Sequence, residues 1–165
     1  MKTITLIGMM GSGKTTLGLL LSKELKFNFA DIDSIIENSE KQSISEIFQK
    51  KGEPYFRNLE QATIKETFQN ENLILSLGGG AFENKETQNI LLNNSYVIYL
   101  KTSASTIFER LKTDTSRPLL NKDNSAEKIQ KIITSREHNY ELAHKTILTD
   151  NKKPQEIIQE ILGVL

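Results

Sequence analysis

The sequence predicts an α/β fold in which a five-stranded parallel sheet is flanked by helices, and three observations support this prediction. Short apolar runs alternate with longer segments of helical periodicity along the 165 residues, as in repeated strand–helix units. The first apolar run leads directly into a glycine-rich segment, Gly8–Thr15. The length is that of one typical domain, so we expect a single domain over residues 1–165.

The elements follow in order from local signals. Five apolar runs predict the strands, at Ile4–Ile7, Phe27–Ala30, Leu73–Leu77, Tyr96–Leu100 and Thr146–Leu148. A helix is expected over Thr15–Leu25, and residues that favour helix N-termini mark later helices. These are Ser43 with Glu46 three residues on, the caps Ser103 and Ser125, and the prolines Pro54 and Pro154. The polar stretch Lys112–Asn124 breaks both periodicities and predicts a surface loop.

The segment Gly8–Thr15 reads Gly-Met-Met-Gly-Ser-Gly-Lys-Thr and matches the phosphate-loop pattern G-x-x-x-x-G-K-[ST] at every fixed position. Its glycines let successive backbone N–H groups turn toward a polyphosphate, Lys14 adds a positive charge, and the Thr15 hydroxyl can ligate Mg²⁺. The helix that follows points its positive N-terminus at the same anion. A strand before the loop and a helix after it favour a nucleotide site over a ligand-free turn.

Composition limits the function classes. The chain has no cysteine, so disulfides and thiolate metal sites are excluded, and a cytoplasmic location is expected. The N-terminus lacks the pattern of a signal peptide and no apolar run reaches transmembrane length, so we expect no membrane association. The formal net charge is zero, which argues against a nucleic-acid partner.

Arginine is scarce in this lysine-rich chain, which has 17 lysines and four arginines: Arg57, Arg110, Arg117 and Arg136. The guanidinium is planar, permanently charged and bidentate. Each arginine in a chain that otherwise uses lysine is therefore a candidate ligand for a carboxylate or phosphate group. The alternative for each of the four is a surface ion pair.

Two aspartates follow the second predicted strand as Asp31-Ile32-Asp33. If the extended conformation continues through them, both carboxylates lie on one side of the strand. One could then hold Mg²⁺ through water while the other contacts the hydroxyl group of a small acceptor. The alternative is that Asp33 caps the next helix.

Two further segments indicate an acceptor site. Gly52–Arg57 places Arg57 and aromatic residues on the first turns of a helix, close to Phe48. An apolar wall with a guanidinium can bind a carboxylate, although helical aromatics are more often core residues. Gly78-Gly79-Gly80 follows the third strand at its carboxyl end, where open α/β sheets bind ligands, and three glycines let the backbone lie against a substrate ring.

Taken together and in order, these motifs resemble the shikimate kinase family over essentially the whole chain. The matching segments are Gly8–Thr16, Asp31-x-Asp33, Ile47-Phe48 with Gly52-Glu53, Phe56-Arg57-x-x-Glu60, Leu75–Ala81, Arg117–Leu120, and Arg136 with Tyr140. The resemblance implies ATP-dependent phosphorylation of the 3-hydroxyl of shikimate, a step of chorismate and aromatic amino-acid biosynthesis. It also implies a three-layer P-loop kinase fold, with a core of residues 1–31, 61–111 and 125–165, a substrate-binding region of about 32–60 and a lid of about 112–124.

Carried over position by position, the resemblance implies the site residues. Shikimate would be bound by Asp33, Arg57, Gly79, Gly80 and Arg136, with the two arginines on its carboxylate. The ATP contacts would be the phosphate loop and three basic residues, namely Gly11, Ser12, Gly13, Lys14, Thr15, Thr16, Arg110, Arg117 and Lys152. One Mg²⁺ would be held by Thr15 and Asp31, with Ser76 further out. In catalysis Asp33 would orient or deprotonate the hydroxyl, while Lys14 and Arg117 stabilise charge.

Two other functions are alternatives. Another small-molecule P-loop kinase, for gluconate or a nucleoside monophosphate, also needs anion-binding arginines; the joint presence of Phe56-Arg57, the triple glycine and Arg136 disfavours it. A nucleotide-binding switch module would bind nucleotide without acceptor-dependent turnover. We therefore expect a monomer whose partners are ATP and shikimate, with no nucleic acid and no membrane.

Overall fold

The computed structural model describes residues 3–68, 72–112 and 126–165. Within these ranges the chain forms five strands and eight α-helices, in the order β1 (Thr3–Ile7), α1 (Lys14–Leu25), β2 (Asn28–Asp31), α2 (Ile32–Glu40), α3 (Ile44–Lys51), α4 (Glu53–Thr67), β3 (Leu73–Ser76), α5 (Lys85–Asn94), β4 (Tyr96–Lys101), α6 (Ala104–Lys112), α7 (Ala126–Tyr140), β5 (Lys145–Leu148) and α8 (Pro154–Leu162). A short 3-10 helix, Ala81–Glu83, precedes α5. The predicted cap Ser125, and all of the predicted lid except Lys112, lie outside the described residues.

The five strands form one parallel sheet in the order β2-β3-β1-β4-β5, as the sequence predicts. Strand β1 is central, and it pairs with β3 on one side and β4 on the other. Because all strands run the same way, the segments that follow them meet at one edge of the sheet. This edge is where an open α/β fold binds its ligands.

Side chains of the central strands alternate between two apolar clusters. In β4, Val97 and Tyr99 belong to the cluster beneath α2, α4 and α5, whereas Ile98 and Leu100 pack toward α1 and α8. All four side chains are buried, as expected for strands covered by helices on both faces. The architecture therefore has three layers, with the sheet in the middle.

The ends of several elements differ by one residue from the predicted ones. Helix α1 begins at Lys14 rather than Thr15, since Gly13 is its N-cap in a left-handed conformation with φ 96°. Strand β2 begins at Asn28 rather than Phe27, because Lys26 ends α1 in a left-handed conformation and the Phe27 N–H still donates to the Ser22 carbonyl at 2.9 Å. The backbone conformation and local hydrogen bonds at the two ends of α1 decide these limits.

The expectation that Asp31 and Asp33 share one side of an extended strand is wrong. The chain leaves β2 at Asp31 and enters α2 at Ile32, so Asp33 lies in the first turn of a helix. Asp31 is the N-cap of this helix, and its Oδ1 accepts a hydrogen bond from the Ser34 N–H at 3.2 Å. The cap is therefore Asp31 and not Asp33.

Helices α2, α3 and α4 occupy the predicted substrate-binding region and pack on the sheet through the buried side chains Ile32, Ile36, Ile47, Phe56 and Ile64. The predicted limit at residue 60 falls inside α4. Helix α3 begins with the predicted capping box, in which Ser43 Oγ accepts from the Glu46 N–H at 3.2 Å and Glu46 Oε2 accepts from the Ser43 N–H at 2.8 Å. Pro54 and Pro154 lie in the first turns of α4 and α8, as predicted.

None of the helices in the described ranges combines the length and apolar character needed to cross a membrane.

Replacing the N-cap of α3 should lower stability. We expect Ser43→Ala to reduce the free energy of unfolding by about 1 kcal/mol, because the Glu46 N–H at the helix start loses its acceptor. Urea denaturation monitored by circular dichroism measures the change. Ser45→Ala, two residues further into the same helix, is the matched control and should leave the unfolding midpoint unchanged or raise it, because alanine favours the helix. Equal losses for both variants would contradict the capping role.

Candidate active site

The candidate site lies along the carboxyl edge of the sheet and has a phosphate loop at its centre. Gly8, directly after β1, has φ 144°, and a Cβ atom at this position would lie 2.7 Å from the Leu100 carbonyl oxygen. Only glycine allows the loop to pack this closely on the end of β4. Gly11 and Gly13 also have positive φ, at 76° and 96°, so the loop turns with little strain.

Lys14 lies across the phosphate loop. Its Nζ donates to the carbonyl oxygens of Gly8 and Met9, both at 2.9 Å, and the residue is 9% exposed. A buried ammonium held by backbone carbonyls is a fixed positive charge at the centre of the loop. This is the position from which a phosphate-loop lysine meets the β- and γ-phosphates of a nucleotide.

A hydroxyl and a carboxylate suited to magnesium lie beside Lys14. Thr15 Oγ1 donates to Asp31 Oδ2 at 2.8 Å, so the ends of the loop and of β2 present two oxygen ligands together. In the described ranges no group of three or more histidine, aspartate or glutamate side chains could hold a metal ion by itself. The pair fits Mg²⁺, which commonly takes one or two protein oxygens and fills its octahedron with water and phosphate oxygens.

A cavity of about 350 Å³ opens beside the loop. It brings together most of the predicted ATP contacts, since its walls are Ser12, Gly13, Thr16, Leu17, Arg110, Lys152, Pro154 and Ile157. Arg110 is held there by a hydrogen bond from Nη1 to the Gly11 carbonyl oxygen at 3.2 Å. Basic groups flank an apolar floor, an arrangement suited to an adenine ring with its phosphates on the loop.

Sequence reasoning missed Asp150, which joins two walls of this cavity. Its carboxylate accepts hydrogen bonds from the Ser103 N–H at 3.1 Å, from Ser103 Oγ and from Thr106 Oγ1. These hydrogen bonds join the loop after β5 to the first turn of α6. The loop carries Lys152, and α6 carries Arg110 nearer its other end. The signal that could have found it is an aspartate two residues after the end of a predicted strand.

The glycine segment after β3 forms the second half of the site. A Cβ atom at Gly78 would lie 2.8 Å from Asp33 Oδ1, and one at Gly80 would lie 2.5 Å from Arg57 Nη2. For a Cβ atom at Gly79, the nearest side-chain atom would be Arg136 Nη1, at 3.6 Å. The structure thus gathers a carboxylate from α2 and guanidinium groups from α4 and α7 around three glycines, although these helices are far apart in sequence.

Gly79 also lies against the phosphate loop. A Cβ atom at Gly79 would be 3.3 Å from the Met10 nitrogen and 3.5 Å from the Gly8 carbonyl oxygen. The phosphate loop and the Arg136 guanidinium therefore both approach the glycine segment at Gly79. A ligand hydroxyl bound at the glycines would therefore lie close to the phosphate loop.

Two glutamates hold the Arg57 guanidinium. Arg57 Nη1 donates to Glu60 Oε2 at 2.8 Å, while Nε and Nη2 donate to Glu53 Oε1 at 3.2 Å. These bonds along α4 fix the guanidinium against Gly80. Phe56, the predicted aromatic neighbour, is buried in the core with its ring centroid 4.9 Å from that of Phe48. Phe56 is thus a core residue, and its ring also lies beside the guanidinium, with Arg57 Cζ 5.2 Å from the ring centroid.

Glu60 is a buried carboxyl group that sequence reasoning placed in a motif without a role. Its side chain is 5% exposed, and Oε1 lacks a hydrogen-bond partner among the described residues. Burial raises the pKa of Glu60 to about 7, even though the hydrogen bond and charge of Arg57 act to lower it; the charge of Asp33 adds to the rise. The group therefore changes charge near neutral pH.

Arg117, the remaining predicted site residue, lies outside the described residues. The others fall into the two groups described above. Residues of the phosphate loop, with Arg110, Lys152 and Asp31, form the nucleotide side. Asp33, Arg57 and Arg136 surround Gly78–Gly80 on the acceptor side.

The fold and this two-sided site define a class of protein: a P-loop phosphotransferase with a place for a small acceptor beside the phosphate loop. The shikimate kinase family model matches residues 10–165. Shikimate kinases from Sulfurihydrogenibium sp. (strain YO3AOP1) and Persephonella marina (strain DSM 14350 / EX-H1) are each 43% identical to the chain, over 162 and 163 residues. These alignments cover 98% and 99% of this chain and 96% and 98% of the relatives.

A solved structure agrees with this assignment. Shikimate kinase from Acinetobacter baumannii, in complex with shikimate, superposes with a TM-score of 0.92 at 34% identity, covering 99% of this chain and 92% of that one. The chain belongs to the shikimate kinase family.

The raised pKa of Glu60 predicts a specific pH dependence of stability. Between the unfolded value of 4.5 and the folded value of about 7, the folded state holds a proton that the unfolded state has lost. Wild type should therefore lose about 3 kcal/mol of unfolding free energy relative to Glu60→Gln as pH rises from about 4 to about 8, because the loss levels off only above the folded pKa. Denaturant unfolding of both proteins across this range measures the difference.

Glu86→Gln is the matched control for this prediction. A hydrogen bond from Lys65 lowers the pKa of the exposed Glu86, so its contribution to stability is lost as pH falls below the ordinary glutamate value. Relative to Glu86→Gln, wild type should therefore lose no unfolding free energy as pH rises from 5 to 7. A Glu60 difference that stays constant with pH would show that this carboxyl group is not buried in its neutral form.

Proposed function

We propose that the protein transfers the γ-phosphoryl group of ATP to the 3-hydroxyl of shikimate, giving shikimate 3-phosphate and ADP. The observation that carries the proposal is the close approach of two half-sites at Gly79, where a Cβ atom would lie 3.3 Å from the Met10 nitrogen of the phosphate loop and 3.6 Å from Arg136 Nη1. A phosphate loop by itself serves many activities. An anion-binding acceptor site built against it favours a small-molecule kinase.

The acceptor side has the chemistry of shikimate, which carries one carboxylate and three ring hydroxyl groups. Arg57 and Arg136 supply planar guanidinium groups for the carboxylate, and Asp33 supplies a carboxylate for a ring hydroxyl. Gly79 and Gly80 leave room for the ring, because side chains there would crowd Arg57 or the phosphate loop. The family membership of the chain favours shikimate over gluconate or a nucleoside monophosphate.

On the nucleotide side, the backbone of Gly11–Thr16 and the Lys14 ammonium would hold the phosphates. The cavity beside Arg110 and Lys152 would take the adenine. Thr15 and Asp31 would hold one Mg²⁺ beside the phosphates. When bound, this ion neutralises charge that develops on the phosphates during transfer.

In the reaction, the shikimate 3-oxygen forms a bond to the γ-phosphorus in line with the breaking bond to the β,γ-bridging oxygen. Asp33 accepts the hydroxyl proton or holds the hydroxyl in line, and ADP leaves. Because the transition state gains little from covalent chemistry by the protein, placement and charge carry the catalysis. Lys14 supplies charge from the loop, and Arg117 would add a second cation from the segment predicted as a lid. We further propose that the enzyme acts as a monomer in the cytoplasm.

Acceptor selectivity tests this proposal directly. Purified protein with ATP and Mg²⁺ should release ADP rapidly on addition of shikimate, and not with gluconate, AMP or no acceptor. A coupled ADP assay measures the rate, and phosphorus NMR identifies the product. Turnover with another acceptor would overturn the assignment of the acceptor site. Nucleotide binding without turnover on any acceptor would favour the switch module.

Asp33→Asn should separate chemistry from nucleotide binding. We expect kcat to fall by roughly 100-fold or more, since positioned acid–base groups contribute on the order of 10²–10⁴, while the Kd for ATP stays within about twofold. Steady-state kinetics and calorimetry give the two values. Glu40→Gln, which removes a carboxylate from the last turn of the same helix, is the control and should keep wild-type turnover. Full activity of Asp33→Asn would exclude the proposed role.

A further inference from the structure

The side chain of Tyr140, at the end of α7, connects the acceptor side to the glycine segment. Tyr140 is 1% exposed, and its hydroxyl donates a hydrogen bond to the Gly79 carbonyl oxygen. The same phenol oxygen interacts with the Arg136 guanidinium, one helical turn earlier on α7. One buried hydroxyl thus contacts two elements of the predicted acceptor site.

Aromatic packing holds the Tyr140 ring in place. It stacks on the Tyr99 ring from β4, with centroids 4.9 Å apart and an interplanar angle of 29°. Both rings lie in the core cluster beneath α2, α4 and α5. The hydroxyl is therefore presented to Gly79 from a rigid support, since neither ring can turn without disturbing the core.

This contact fixes the orientation of a whole peptide unit. The Gly79 carbonyl and the Gly80 N–H belong to the same planar trans peptide, so they point in opposite directions. With the carbonyl turned toward Tyr140, the Gly80 N–H points away from it. Glycine at both positions lets this peptide rotate easily, and without an anchor its orientation would be poorly defined.

Burial raises the pKa of the Tyr140 phenol to about 12, against the lowering effect of the Arg136 charge. The hydroxyl therefore keeps its proton, and remains a donor to the carbonyl, at any pH at which the enzyme would be assayed. A phenolate would repel the carbonyl oxygen instead.

We propose that Tyr140 is a positioning residue that orients the Gly79–Gly80 peptide, so that its N–H faces the acceptor and its backbone keeps the acceptor at a set distance from the phosphate loop. The inference rests on the proposed function, because the acceptor is taken to be shikimate. Tyr140 does not itself contact the reacting atoms. Its effect passes through the Gly79 carbonyl and through Arg136.

The test compares Tyr140→Phe with Tyr99→Phe. Each variant removes one hydroxyl from the same buried stack and keeps the ring, but only the first removes the hydrogen bond to Gly79. For Tyr140→Phe we expect the KM for shikimate to rise about tenfold, the order expected for loss of one hydrogen bond, and kcat to fall several-fold. The Kd for ATP measured without shikimate should stay at the wild-type value. Tyr99→Phe should match wild type in all three.

A second measurement keeps the result independent of overall stability. Both variants are melted, and kinetics are recorded well below the lower midpoint. The ratio of ADP released to shikimate phosphate formed is also measured. Misplacement of the acceptor by Tyr140→Phe should raise this ratio, because water competes better for the phosphoryl group, whereas a purely structural defect lowers the amount of active enzyme without changing the ratio or the KM.

The outcomes separate the inference from the proposed function. Wild-type turnover with shikimate, and equal kinetics for the two phenylalanine variants, would overturn the role of Tyr140 and leave the function intact. Equal rises in the KM for shikimate and the Kd for ATP would also overturn it, since the defect would then be general. Absence of shikimate-dependent turnover in wild type would overturn both.

Discussion

Parallel pairing of the central strand β1 with β3 and β4 is the constraint on which the rest of the structure depends. It places the phosphate loop after β1 directly between the glycine segment after β3 and the start of α6 after β4. Gly8 packs so closely on the end of β4 that a Cβ atom at this position would lie only 2.7 Å from the Leu100 carbonyl oxygen. The arrangement therefore leaves no room for a side chain there. Because helices cover both faces of the sheet, ligands approach at the edge that carries these loops. The nucleotide and acceptor sides are adjacent because of this geometry.

The cationic side chains at that edge of the sheet are held by hydrogen-bond acceptors of the protein. Lys14 rests on two carbonyl oxygens, Arg110 on a third, and Arg57 on two glutamates. Such contacts hold cations in position before a ligand arrives, which reduces the entropy lost on binding. Glu60 adds a different property, because its burial makes the charge beside Arg57 depend on pH near neutrality. The cations of the acceptor side are thus held in place in advance, and the net charge beside Arg57 changes with pH.

Much of the fold and of the nucleotide side could be predicted from local signals. The phosphate loop, the five strands, the capping box at Ser43 and the helix-initiating prolines each occupy a few consecutive residues, so hydrophobic period and turn chemistry suffice to find them. The prediction was wrong where neighbouring elements compete for the same residues. Asp33 looked extended because Asp31-Ile32-Asp33 alternates, yet Asp31 caps α2 and the helix begins at once. Strand limits shifted by one residue for the same reason.

The sequence by itself determined the class of fold, the phosphate-binding loop and the family, because these depend on residue type and spacing along the chain. Only the tertiary structure decided which distant side chains meet. It brought Asp33, Arg57 and Arg136 from three helices around one glycine segment, and it revealed the contacts of Tyr140 with Gly79 and of Asp150 with Ser103. Such contacts join residues 47 and 61 positions apart, where the angle between packed elements and the depth of burial, not local periodicity, set the distance.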